Sequence, residues 1–502
     1  MSAFVTDQFR ILNAGSFVES ISNDSYYAFL GLSNPTPGSV GFGRTDNWDT
    51  STTNNPVDNF QYLSHYRDTS LFGKKITTEN ARRVIRKVEW VSNTSYDMYR
   101  HDYRQGNESP VSKTVRLYDS NYYIITSEFK IYICIDNGSS GNSPSISGSL
   151  IEPTHTDIEP PVAGSDGYRW KYLFSISPSD VIKFDSTEFI TVPNNWLTTT
   201  NSDIEIIRDG GDSDTNNNQL KTVYIEDGGT GYSNGTASII GDGSGAAVSI
   251  AVDSSGTITS VTVTNGGKGY TYGIVDLRDN SGSGSRLIPI IPPSKGHGYN
   301  IYEELGTDKV LMYARFDDST KDFPIDTKFA QVGIIRNPET FAGTGVTFTE
   351  NAFSSLYAIG LSTSRTVSIG EKITQNVSGA KGYVASFDKD TKVLKYYQDR
   401  SLCFGNNEDQ LDSASTSNII EFDSTNDIEF FTSGGSASID TNLNGGVVVV
   451  NNKQINLGVT FANGLANPEI NKKTGTIIYI DNRPEVQRDS RQKEDIKIIL
   501  EF

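Results

Sequence analysis

Cysteine is nearly absent from this chain. Cys134 and Cys403 are the two in 502 residues, far apart and outside any Cys-x-x-Cys pairing. That excludes a disulfide scaffold and fits assembly in a reducing cytoplasm. Histidine is scarce too: His65, His101, His155 and His297 stand apart, with no His-Glu-x-x-His motif and no cysteine partner. A zinc site needs such clustering, so none is expected. No apolar run approaches the ~18 residues that span a bilayer. Met1 to Arg10 lacks the basic region followed by an apolar core that marks a signal peptide. Positive charge is in deficit, with 43 Lys and Arg against 61 Asp and Glu, a net −18. Such a surface repels nucleic-acid phosphate and anionic lipid, so neither nucleic-acid binding nor membrane insertion is expected.

What the chain does have is turn and strand chemistry. It holds 46 Gly, 25 Tyr and 24 Phe, with Ala, Leu and Met sparse. Tyr and Phe suit strands and interfaces, and the abundant Gly, Ser, Thr and Asn suit short turns. The expected class is all-β with few short helices, and the length implies two to four domains.

Along the chain, Phe4 to Ile21 has no clear period and reads as a strand or short helix. Tyr26 to Leu32 reads as a strand closed by Asn34-Pro35 and Pro37-Gly38. Thr78 to Trp90 reads as a helix, with Ala81, Val84, Ile85 and Val88 at helical spacing. Its Arg82, Arg83, Arg86 and Lys87 form the most basic patch, either salt-bridged to the chain's own carboxylates or docking an acidic partner or second copy. Tyr122 to Asp136 reads as one long strand, with Phe129, Ile131, Ile133 and Ile135 inward and Lys130, Tyr132 and Asp136 outward. Ser165-Asp166-Gly167 is a turn, after which Trp170, Tyr172, Phe174 and Ile176 share one face of a strand ended by Pro178. Thr187 to Val192, Val310 to Phe316, Phe329 to Ile335, Thr476 to Asp481 and Asp495 to Phe502 complete the main strands.

Two segments interrupt this pattern. Val223-Tyr-Ile-Glu-Asp-Gly-Gly-Thr-Gly-Tyr232 recurs as Val261-Thr-Val-Thr-Asn-Gly-Gly-Lys-Gly-Tyr270, an internal repeat. Gly343 to Asp440 carries short hairpin strands at Gly370–Thr374, Gly382–Phe387 and Val393–Tyr397. The expected organisation is a discontinuous β body, residues 1–203 with 288–342 and 441–502. Small inserted β modules occupy 204–287 and 343–440.

The search for chemistry yields no catalytic, cofactor or metal residue. Gly241-Asp-Gly-Ser-Gly-Ala246 lacks the Gly-Lys-Ser/Thr ending and following helix of a phosphate loop. Asp212-x-Asp214-x-Asn216 starts like a calcium loop, but Asn217 and Val223 stand where its Gly and Glu belong. There is no Gly-x-Ser-x-Gly elbow, and His155 reads as a surface residue in a Pro-rich loop. A glycan-binding role and a hydrolytic one stay open. Tyr232 and Tyr270 could lay aromatic faces on a glycan, or simply pack across their own turns. Paired carboxylates among the 61 acidic residues could hydrolyse a polysaccharide.

The run Trp90-Val-Ser-Asn-Thr-Ser-Tyr-Asp-Met-Tyr99, then Tyr122 to Cys134, then Gly164 to Ile176, resembles the baseplate wedge subunit of contractile-tailed bacteriophages, the gene-product-eight family. Phe42-Gly-Arg-Thr-Asp-Asn-Trp48, Phe189 to Pro193, Val332-Gly-Ile-Ile-Arg-Asn-Pro338 and Ile477-Ile-Tyr-Ile-Asp-Asn-Arg-Pro484 follow in the family's order. The resemblance covers roughly Met1–Trp196, Pro289–Pro338 and Thr474–Phe502, and departs from the family at the two inserts. It implies that the body is built of β-sandwich units sharing sheets, and that the chain is a structural, non-enzymatic virion protein of the tail baseplate, homodimeric and in contact with other wedge proteins. Trp170 and Tyr172 are then core or interface anchors.

Overall fold

The computed structural model describes residues 5–32, 55–56, 60–141, 146–157, 161–212, 219–317, 327–398, 402, 419–489 and 492–502. The Asn34-Pro35, Pro37-Gly38 and Phe42–Trp48 segments, the Asp214 and Asn216 positions and Cys403 lie outside the described residues. The fold is all-β: antiparallel sheets dominate, and five α-helices occur among the described residues, the longest Asp7–Asn23. The N-terminal segment of uncertain period is thus helical. The chain forms two compact units, one of Met1–Val18, Arg82–Leu311 and Ile499–Phe502, the other of Glu19–Ala81 and Met312–Ile498. The 204–287 segment falls in the first unit and the 343–440 segment in the second.

The first unit is built on a four-stranded antiparallel sheet in the order Tyr123–Ile125, Lys130–Asp136, Arg169–Ser175, Val162–Ala163. The expected long strand is therefore a hairpin. Phe129 sits at its turn with φ +58° and is partly exposed rather than inward. Lys130–Asp136 lies inside the sheet, and Ile131, Tyr132, Ile133, Cys134 and Ile135 are all buried. A strand covered on both faces shows no inside–outside alternation, which is why Tyr132 does not face solvent.

Its neighbour departs from alternation for another reason. The register between Lys130–Asp136 and Arg169–Ser175 shifts twice, between Ile131 and Tyr132 and between Cys134 and Asp136. Each bulge re-aims the side chains that follow it. Trp170, Lys171, Leu173 and Phe174 are buried and Tyr172 is half-buried, so the expected single apolar face does not exist. Pro178 opens a helix, Pro178–Phe184, whose Ser177 cap accepts from the Asp180 amide.

The expected Thr78–Trp90 helix is also corrected. Thr78–Asn80 is a single 3-10 turn and Ala81–Arg86 is a strand, paired through Arg83–Arg86 with Phe189–Val192. Thr77 gives no side-chain cap. The β-branched Val84 and Ile85 are both buried, and packing decides against helix propensity. A helix unmarked in the sequence, Ser202–Asp212, precedes the repeat.

Residues 219–289 carry a four-stranded sheet in the order Ile258–Lys268, Ser244–Val252, Gly235–Gly241, Gly273–Val275, beside the pair Ser283–Pro289 and Val223–Thr230. These strands enclose their own core, including Val248, Ile258 and Tyr270.

In the second unit a five-stranded sheet runs Ala352–Ser354, Ser70–Ile76, Tyr26–Gly31, Lys328–Arg336, Thr476–Gln487. Glycines let it close tightly: a Cβ at Gly73 would collide with the Phe353 ring, and one at Gly333 with Phe29. A seven-stranded sheet runs Ser436–Ala437, Ile428–Phe430, Lys372–Thr374, Lys381–Asp388, Val393–Tyr397, Tyr357–Gly360, Leu465–Ala466. The hairpin Gly445–Val450 with Lys453–Phe461 packs Leu457, Val459 and Phe461 against Ala358 and Val393.

Candidate interaction surfaces

The basic segment is engaged within its own unit. Arg82 pairs with Asp180 at 3.0 Å, and Lys87 reaches Glu89 at 3.0 Å and Asp185 at 3.5 Å. The Arg83 guanidinium lies 3.8 Å over the Tyr302 ring, a cation–π geometry. Arg86 donates to the Ser120 carbonyl at 3.0 Å and to Asn121 at 3.4 Å. Strand geometry sends these four side chains to different partners, where a helix would have gathered them on one face.

Trp170 is 2% exposed and belongs to the core. It stacks on Tyr168, centroids 5.5 Å apart and 8° from parallel, and meets the edge of Tyr96 at 5.8 Å. Its indole N–H makes no hydrogen bond. Tyr172 packs on Tyr132 and shares a hydrogen bond with Ser175 at 2.9 Å. His155 is half-buried rather than on the surface: it lies 5.1 Å from the Tyr132 ring and 3.2 Å from the Trp170 carbonyl, and burial lowers its pKa.

The two repeats interlock. Gly229 and Gly267 share φ +61°, Gly231 and Gly269 have +73° and +75°, and Gly245 and Gly284 have +82° and +81°. Only glycine adopts these values without cost. Tyr232 lies against its own Gly229 and also on Gly282 of the second copy, where a Cβ would enter its ring. Tyr270 lies against its own Gly267 and on Gly243 of the first copy. Ser285 donates to the Tyr232 hydroxyl at 2.7 Å, and the Tyr270 hydroxyl donates to the Ile239 carbonyl at 3.1 Å. Each ring therefore packs across the other copy's turn as well as its own. With Tyr232 7% and Tyr270 1% exposed, neither ring has a face to offer a glycan. The signal was present in the sequence: a Gly-Ser-Gly turn follows each Gly-Gly-x-Gly-Tyr, at Gly243–Gly245 and Gly282–Gly284.

Several carboxylates are spent on backbone amides. Buried Asp97 accepts from Val111 N at 2.8 Å, Ser112 N at 3.1 Å and Asn121 N at 3.3 Å, and from the Ser112 hydroxyl. Glu371, 4% exposed, accepts from Ser368, Thr432 and Ser433 amides and from the Ser433 hydroxyl. Burial pushes the Asp166 carboxyl up, but the Leu150, Tyr168 and Ile151 amides and the Ser149 hydroxyl outweigh it and hold its pKa below the ordinary value. The Thr271 hydroxyl and amide lower exposed Asp242 to about 2. Such carboxylates tie loops down, and Asp97, Asp166 and Glu371 each accept four hydrogen bonds, the full acceptor capacity of a carboxylate. His297 and Glu304 form a 2.5 Å pair, but both are shut in the core under Tyr99. Among the described residues no His, Cys, Asp and Glu grouping could hold a metal ion.

One polar cleft of about 120 Å³ opens in the first unit. Arg10, Arg86, Arg116 and Lys309 line it together with Asp7, Asp119, Asp308 and Glu501, so it favours neither anion nor cation. Exposed apolar side chains gather at Ile240, Tyr272 and Ile274, where Ile240 and Ile274 are cross-strand partners, and at Val447 and Val449. No helix of the described residues is long and apolar enough to cross a membrane. No protein-family model and no curated protein matches this chain.

Proposed function

We propose that this chain is a non-catalytic structural subunit of a contractile phage-tail baseplate, a wedge component that associates with a second copy of itself and with other wedge proteins. The supporting observation is where the segments of wedge-family resemblance lie. Tyr96, Met98 and Tyr99 of the first, Tyr122 to Cys134 of the second, and Trp170, Leu173 and Phe174 of the third meet in one aromatic core. Two later segments, far apart in the sequence, are neighbouring strands, with Ile334 opposite Tyr479 and Ile335 opposite Ile477. Each group of segments thus meets within its own unit. The working parts of such a subunit are backbone ladders, buried rings and charged rims, with apolar area driving association and charge setting register. The carboxylates tied to loop amides suit this role, because they make surfaces of fixed shape.

Cross-linking mass spectrometry of intact tails tests the reading. Cross-links between this chain and other proteins at the base of the tail are expected. A chain absent from purified virions, or present without neighbours there, refutes it.

A further inference from the structure

The hairpin formed by Gly445–Val450 and Lys453–Phe461 turns through Asn451 and Asn452, both at positive φ, in a two-residue loop. Gly445–Val450 is bonded on one side only: among the described residues its sheet has two strands. Every second backbone N–H and C=O on its outer edge is therefore open to another strand. Edge strands normally carry a deterrent. Thr476–Gln487, at the end of the five-stranded sheet, has Asp481, Arg483, Pro484 and Glu485. From Thr441 to Asn452 there is neither charge nor proline, and Val447 and Val449 are 51% and 66% exposed. An uncharged, valine-rich open edge is a template for pairing.

We propose that this edge pairs antiparallel with the same strand of a second copy of the chain, joining two hairpins into one four-stranded sheet. Three points select a second copy. In antiparallel pairing, opposite residues share a face, so a two-fold axis normal to the sheet allows only registers that pair positions of equal parity. The register centred on Val448 sets Val447 opposite Val449 of the other copy, twice, and closes four exposed valines into one cluster. Each copy carries net −18, and this segment adds no charge to oppose approach or to recruit a basic partner. Isologous pairing also uses both open edges, leaving none to propagate into a fibre.

The inference gives a location to the self-association in the proposed function but is tested without any phage particle. Sedimentation of the full chain should show a concentration-dependent dimer. Val447→Lys and Val449→Asp, each at an exposed position, should weaken it by at least about tenfold, since a charge enters an apolar strand pair. Their melting temperatures should match the parent's. Mixing the two variants should restore the dimer, because the register sets Lys opposite Asp. A parent chain monomeric at every concentration overturns the proposal and leaves the edge to a strand of a different protein. Variants that dimerise like the parent, or a mixture no tighter than either variant alone, overturn it as well.

Discussion

Lys395 lies in the middle of Val393–Tyr397, 5% exposed, and its ammonium makes no hydrogen bond. It points over the Phe72 ring at 5.2 Å. Burial lowers its pKa from 10.5 to about 8, against the opposing pull of Glu469 and Asp388. A shift of that size corresponds to about 3 kcal/mol of disfavoured charge at neutral pH, at about 1.4 kcal/mol per pKa unit. Attraction between the ammonium and the Phe72 ring offsets about 1 kcal/mol of that penalty. Lys395→Met keeps the unbranched stem and removes the charge, so it should stabilise the second unit by about 2 kcal/mol at pH 6–7. The folded-state pKa lies below the unfolded value, so the penalty is full below pH 8 and fades as the pH rises to 10.5. The gain from the substitution should therefore vanish by that pH. Three of the chain's four tryptophans, Trp90, Trp170 and Trp196, lie in the first unit, so indole fluorescence of the whole chain does not report on this change by itself. Hydrogen exchange of peptides covering Tyr357–Gly360 and Lys381–Tyr397 does, with parent and variant compared at each pH. Slower exchange by roughly thirtyfold at pH 6–7 is the expected result, as 1.4 kcal/mol is a factor of ten. Faster exchange in the variant, or a difference that persists at pH 10.5, would refute the assignment of a buried, penalised ammonium.

Trp170→Ala should destabilise the first unit by about 3–5 kcal/mol through the lost stack on Tyr168 and the cavity left behind. Trp170→Phe should cost under about 1.5 kcal/mol, since it retains an aromatic ring and removes the unpaired indole N–H. Denaturant titration followed by Trp fluorescence ranks the two, and equal costs would contradict the packing described. Gly282→Ala and Gly243→Ala should each destabilise the repeat module, by about 1–3 kcal/mol, as the new methyl enters a Tyr ring of the other copy. Tyr232→Ala should make Gly282→Ala nearly neutral without rescuing Gly243→Ala. Limited proteolysis of the 219–289 region reads the cycle, and a rescue that fails would break the pairing of rings and turns.

Strand positions that depend on local pattern were legible: Val393–Tyr397 has the expected bounds, Tyr26–Gly31 and Lys309–Phe316 shift by one residue at one end, and Lys381–Asp388 is longer by one residue at each end. Ala81–Arg86 was not, because its buried Ala81, Val84 and Ile85 fit a helix stripe and do not alternate as a half-buried strand would. What separates the two is the partner Phe189–Val192, about a hundred residues away. The bulges at Leu173 and Ile135 were invisible for the same reason: they exist only in the register between Arg169–Ser175 and Lys130–Asp136. Lys395 followed by Tyr396 and Tyr397 reads as an ordinary half-polar strand. Its burial follows from Phe72, which is remote in sequence.

The carboxylates show most directly why composition left function open. A pair of catalytic acids and a pair of loop-tying acids look alike in a sequence with 61 of them. They differ in what fills their lone pairs. Asp97 takes amides 14 to 24 positions away, and Glu371 takes two amides 61 and 62 positions away besides the nearby Ser368 amide, so spacing alone marks neither residue. Once those bonds are made, each carboxylate is an acceptor already saturated by donors that cannot leave without unfolding a loop. A general acid or base needs the opposite condition, a lone pair or proton free to exchange with substrate. The aromatic repeat obeys the same logic, since Tyr232 and Tyr270 spend their faces on glycines and their hydroxyls on neighbouring strands. Side chains with chemical capacity are thus consumed internally in both settings. The uncommitted groups of the Gly445–Val450 edge are main-chain donors and acceptors flanked by valine methyls, and those recognise another strand rather than a small molecule.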